Sequence, residues 1–96
     1  MSNTEKFDTS LAGLVNTERQ AVYGHPADNF RRIAAMQAIT AECTDPETRV
    51  ALDNIVLKVC RLIQTPTHLD SWIDIGGYAR CGVMILDRRE SAKPKV

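Results

Sequence analysis

Apolar residues recur along this chain at helical spacing in four runs, each closed by a break that carries Pro or Gly or by the chain end. Leu11, Leu14, Val15 and Val22 make the first run, with Asp8-Thr9-Ser10 as cap residues before it and Tyr23-Gly24-His25-Pro26 stopping it. This spacing predicts a helix over about residues 9–23. Pro26 suits the first turn of a second helix and Asp28 its N-terminal dipole; Phe30, Ile33, Ala34, Met36, Ala38 and Ile39 continue it to about residue 43. Asp45-Pro46-Glu47 repeats the start signal, and apolar residues run from Val50 to Ile63 until Thr65-Pro66 breaks them. Thr67 or Asp70 caps a fourth helix carrying Leu69, Trp72, Ile73, Ile75, Ala79, Val83 and Leu86, which ends near Glu90.

No segment alternates with the period of a strand, and there is no internal repeat, so the predicted fold class is all-α. The expected organisation is a flexible N-terminus over residues 1–8, one all-α domain over 9–90 and a flexible tail over 91–96. Gly76, Gly77 and Gly82 each cost the fourth helix up to ~1 kcal/mol relative to Ala. Close approach of another helix, the third above all, is the expected benefit. The third helix is apolar nearly all round, which one neighbour cannot satisfy, so a homodimer or higher homo-oligomer is expected.

Composition narrows the function classes. Among 96 residues, 12 basic and 12 acidic side chains cancel, which removes the excess charge that draws a protein to a nucleic-acid polymer. The polar start Met1-Ser2-Asn3-Thr4-Glu5-Lys6 has no apolar signal region and no window reaches the ~20 apolar residues of a spanning helix, so no membrane partner and a cytoplasmic location are expected. Cys43, Cys60 and Cys81 form no CxxC pair and read as reduced core residues, as Trp72 reads as core.

The chemistry lies where charge interrupts hydrocarbon. Lys58 and Arg61 break the run from Ile55 to Ile63, and Asp70 and Asp74 break the run from Leu69 to Ile75. At i, i+3 and i, i+4 spacing each pair shares a helix face, so adjacent helices can bring all four together, either as an internal ion-pair lock or as the floor of a site for a charged ligand. Asn54 extends the basic stripe by one turn, giving donors suited to oxyanions. Asp70 and Asp74 either coordinate Mg²⁺ or orient the basic pair; Glu18, on the first apolar stripe, is a third metal ligand or a helix-edge ion pair. The second cluster is the turn from Tyr23 into the second helix. Its N-terminus favours an anion, His25 can add a hydrogen bond, Tyr23 can stack on a base and Asn29 can read a base edge or ribose; the plainer alternative is a turn that only caps. Tyr78 continues the Asp70-Asp74 stripe and either bonds into the cluster or is an ordinary buried tyrosine.

The order Tyr23-Gly24-His25-Pro26 with Asn29-Phe30, then Lys58-x-x-Arg61, then Asp70-x-x-x-Asp74-x-x-Gly77-Tyr78 resembles a small family of uncharacterised phage and prophage proteins over about residues 17–80. That family is in turn similar to the MazG-like all-α nucleoside triphosphate pyrophosphohydrolases, which use Mg²⁺ to release pyrophosphate. The resemblance implies a four-helix MazG-like bundle. In those enzymes a Glu-x-x-Glu pair on one helix and a Glu-Glu-x-x-Asp motif on the next hold the metal. Here Asp70 and Asp74 keep part of the second motif, with Ser71 for its second Glu, while Lys58 and Arg61 stand where the first motif's glutamates align. Fixed cations neutralise phosphate but cannot activate water as a metal does.

The resemblance therefore implies a nucleotide-binding protein that needs no cofactor. It would hold phosphates with Lys58 and Arg61 and sequester its ligand, including a cyclic nucleotide made by host defence, in the host cytoplasm. Its enzyme rival is a pyrophosphohydrolase in which Asp70, Asp74 and Glu18 hold Mg²⁺; a third reading is a protein-interaction module whose charges only lock the helices.

Overall fold

Two of the predicted helix starts, at Pro26 and at Asp45-Pro46, carry a capping residue followed by proline in the first turn, and the structure builds helices from them. The computed structural model describes residues 2–11 and 24–94, which contain four helices and no strand. Helix α1 is Asn3–Ser10, α2 is Pro26–Thr40, α3 is Pro46–Gln64 and α4 is Leu69–Ala92. The N-cap of α2 is His25, whose Nδ1 accepts from the Ala27 amide at 3.1 Å, with Pro26 in the first turn. The cap of α3 is Asp45, accepting from the Thr48 amide ahead of Pro46.

Two starts differ from expectation. Helix α1 was not expected: Ser2 and Glu5 form a reciprocal capping box around its first turn, and it closes at its C-cap Leu11. The helix expected over residues 9–23, through Leu14, Val15, Glu18 and Val22 to Tyr23, lies from residue 12 on outside the described residues. Neither Thr67 nor Asp70 caps α4; His68 does, without a side-chain bond to the free amides, its Nδ1 lying 2.7 Å from the Ser71 hydroxyl.

Antiparallel packing follows from the cross-helix contacts. Thr40 donates to Asp53, Met36 Sδ meets Cys60 Sγ at 3.6 Å and Arg32 reaches Gln64 at 3.4 Å, so α2 runs against α3. Lys58 pairs with Asp74, and Asp45 and Glu47 with Arg89, so α4 runs against the other side of α3. Helix α3 is central; α2 and α4 pack on it and not on each other.

The buried apolar residues among those described are Val56, Cys60 and Leu62, all on α3. Cys81 is exposed and Cys43 only partly buried, so of the three free thiols Cys60 alone is core. Trp72 is 56% exposed, its indole N–H donating to the Pro66 carbonyl at 3.0 Å, and is no core residue. The glycines also depart from expectation: a Cβ at Gly76, Gly77 or Gly82 would meet nothing within 4 Å among the described residues, so at none of them does a close approach of α3 require glycine. No described helix is long and apolar enough to cross a membrane.

Candidate functional site

Lys58 and Asp74, the charges that interrupt α3 and α4, meet across the seam with Nζ 3.1 Å from Oδ2. The ammonium is the buried partner, its side chain 13% exposed against 43% for the carboxylate. An ammonium has three donors and one carboxylate contact engages only part of that capacity. Arg61 sits half-buried on the next turn of α3. Asp70 is exposed and makes no ion pair with Lys58, so the expected gathering of basic and acidic pairs takes the form of the Lys58–Asp74 contact.

Both helix packings bring further groups to this end of α3. Because α2 and α4 each run against α3, the N-termini of both lie toward its C-terminal end, and helix N-termini carry partial positive charge. The turn into α2 is seated there by Gly24, whose φ of 75° suits glycine and where an added Cβ would lie 2.8 Å from the Gln64 side chain. Gln64 is one turn from Arg61. On the first turn of α2, Asn29 is 4% exposed and its Oδ1 has no hydrogen-bond partner among the described residues. Such a buried acceptor costs roughly 1–3 kcal/mol until something donates to it.

The other predicted residues divide. His25 is exposed and its Nδ1 serves the helix cap, which is the plainer of its two expected roles. Asn54 donates to the Val50 carbonyl one turn back at 2.9 Å, so its amide N–H is engaged within its own helix. Tyr78 is half-buried on the α3-facing side of α4 and makes no hydrogen bond to Lys58 or Asp74. Tyr23 and Glu18 lie outside the described residues. Among the described residues no three His, Cys, Asp or Glu side chains converge as a metal site would need, and Asp70 and Asp74 stand as a pair.

Two polar clusters escaped the sequence reading. Ser71 is fully buried, with its hydroxyl on His68. At the far end of α3, Arg89 grips Asp45 through two guanidinium nitrogens at 2.8 and 3.0 Å and also reaches Glu47. The Arg89 hydrogen bonds, then that of Thr48, hold the Asp45 carboxyl down to about 2; Asp45 and then Glu47 raise the guanidinium in turn. The signal was present, since the acidic start of α3 must face the basic end of an antiparallel α4. Burial pushes the Cys60 thiol up, as befits an inert core cysteine. A groove lined by Cys81, Met84, Ile85 and Arg88 lies on the C-terminal half of α4 and includes none of the predicted site residues.

The described part of the chain is thus helical, with a largely covered lysine paired across the α3–α4 seam and a second cation one turn on. Residues 9–86 match the family described as "Domain of unknown function (DUF6378)", and the chain belongs to that family. It is similar to the "Gene 55 protein" of Mycobacterium phage D29, 34% identical over 82 residues that cover 85% of this chain and 54% of the relative. It is also similar to the "Gene 55 protein" of Mycobacterium phage L5, 33% identical over 73 residues covering 74% and 46%. The chain spans about half the length of these curated relatives, and the family is one of phage proteins. No solved structure matches the chain.

Proposed function

We propose that this DUF6378 protein binds a phosphorylated nucleotide and does not hydrolyse it, with Lys58 and Arg61 on the phosphates and Tyr23, His25, Asn29, Asn54 and Tyr78 around base and sugar. The observation that carries this reading is the largely covered Lys58 side chain with Asp74 as its described ion-pair partner. Lys58 and Arg61 place two cations one turn apart in the C-terminal half of α3, toward the end where two helix N-termini add their partial charges. The unpartnered Asn29 Oδ1 at the same end supplies an acceptor for a base amino group or a ribose hydroxyl.

Binding without turnover follows from the chemistry of the charges. Fixed cations neutralise phosphate, and Asp70 and Asp74 form a thin ligand set for Mg²⁺, the more so as Asp74 is held by Lys58. In this reading the chain is a MazG-like bundle that sequesters a linear or cyclic nucleotide, including one made by host defence, in the host cytoplasm. A second reading has its own observation: the 3.1 Å Lys58–Asp74 pair is what a purely structural lock between α3 and α4 would display.

Thermal shift against nucleoside triphosphates and cyclic nucleotides, with and without Mg²⁺ and with pyrophosphate assayed in the same wells, separates these readings. Sequestration gives a raised Tm without Mg²⁺ and no pyrophosphate, with the shift lost in Arg61→Ala and Lys58→Met. Pyrophosphate appearing only with Mg²⁺ makes the protein an enzyme. No shift with any nucleotide leaves the structural lock.

A further inference from the structure

Helix α4 has two faces of coiled-coil spacing, and its more apolar face has no partner among the described residues. Ser71, Ile75, Tyr78, Gly82, Ile85 and Arg89, with Asp74 beside them, form the side turned toward α3; all are buried or half-buried. That stripe is largely polar. The other stripe, Leu69, Trp72, Gly76, Ala79, Val83 and Leu86, repeats at 3-4-3-4-3 spacing, carries no charge and is exposed throughout. Leu69 is 67% exposed, Trp72 and Val83 56% each and Leu86 54%, and Ile73 on its flank is 59% exposed.

We propose that this stripe is a self-association surface on which α4 packs antiparallel against α4 of a second copy, about a two-fold axis that passes between Gly76 and Ala79. The order of side-chain sizes selects the occupant. Read from either end the stripe runs large, large, small, small, large, large. Antiparallel pairing about its midpoint therefore sets Leu69 on Leu86 of the second copy, Trp72 on Val83 and Gly76 on Ala79. This is the reciprocal matching that a two-fold interface requires, residue i on j and j on i. A helix from an unrelated partner would have no need of that symmetry.

Glycine placement and exposed area both fit this pairing. Nothing lies within 4 Å of a Cβ at Gly76, so this interior helix glycine has no packing role among the described residues; at the axis it lets two backbones approach. With Ile73 the stripe exposes on the order of 600 Å² of surface per chain, the upper end of what monomers commonly leave in one patch and approaching the ~800 Å² per partner of a standard interface. Antiparallel pairing also opposes the two helix dipoles favourably. Self-association of this kind does not depend on nucleotide binding.

The test combines sedimentation with cross-linking. The intact chain is expected to sediment as a dimer, and Ala79→Arg, which sets a cation against the facing copy at an exposed position, to weaken dimerisation at least 100-fold with unchanged helical circular dichroism. In a Cys81→Ser background, Leu69→Cys and Leu86→Cys chains mixed with oxidised glutathione are expected to form the mixed 69–86 disulfide in preference to 69–69 or 86–86. Three results each overturn the proposal: a monomer at all concentrations, as when residues 12–23 or a different protein cover the stripe; a dimer indifferent to Ala79→Arg; or preferred 69–69 cross-links, which mean parallel pairing.

Discussion

Burial divides the two members of the Lys58–Asp74 pair unequally, and so does the consequence of losing either. Removing Asp74 leaves a lysine whose side chain is 13% exposed without its carboxylate, whereas removing Lys58 leaves a carboxylate that water already reaches. Asp74→Ala is therefore expected to lower unfolding free energy by about 2 kcal/mol and Lys58→Met by less than about 1 kcal/mol, read from urea denaturation. Equal losses would mean that the ammonium is not the buried partner. The Arg89–Asp45 contact predicts a pH dependence. With its folded pKa at about 2, below the ordinary 3.8, Asp45 contributes stability in full above its unfolded pKa, and that contribution disappears as pH falls through the folded value. Thermal melts between pH 5 and pH 2 should show this fall in the native chain and a shallower one in Arg89→Met. Of these contacts the sequence revealed Lys58 and Asp74, because a charge inside an apolar run marks itself. Arg89 and Asp45 are charges in polar surroundings, 44 residues apart, and only the antiparallel docking of α4 on α3 pairs them.

Elements were more legible than their faces. The cap-and-proline starts of α2 and α3 are local signals, and both helices begin where His25-Pro26 and Asp45-Pro46 place them. The start of α1 was missed although Ser2 and Glu5 have the spacing of a capping box, because no apolar run follows them to draw attention. The faces of α4 failed for a deeper reason. Periodicity shows that a stripe will be covered and not by what: Trp72 read as core and Leu69, Val83 and Leu86 as part of the apolar run, yet all four are exposed, whereas Asp74 meets Lys58 of α3 as the charge pattern suggested. The turn into α2 gives the prediction proper to this scale. Gly24 combines a positive φ with the nearby Gln64 side chain, whose flexible end can move aside, so the backbone term dominates. Gly24→Ala is expected to cost about 1–2 kcal/mol in urea denaturation and Gly24→Asn less, since Asn tolerates the left-handed region better.

At the scale of the whole molecule, the described part of the chain has a core of three apolar side chains on one central helix, flanked by two helices that do not touch. A layer of this kind is left with apolar surface on its outer faces, seen at Phe30 and Ile39 on α2 as well as along α4. Association that covers such surface also supplies folding free energy, so stability becomes a function of protein concentration. The Tm of the native chain is therefore expected to rise by several degrees across a hundredfold increase in concentration, measured by circular dichroism at low concentration and calorimetry at high. Ala79→Arg should melt at one lower temperature throughout that range, because Ala79 is exposed and the proposed pairing gives it a contact only with the second copy. The pairing of these two curves separates loss of an interface from loss of a fold: a variant damaged within its own chain would melt lower yet keep the concentration dependence, whereas a variant damaged only at the α4 stripe loses the dependence itself.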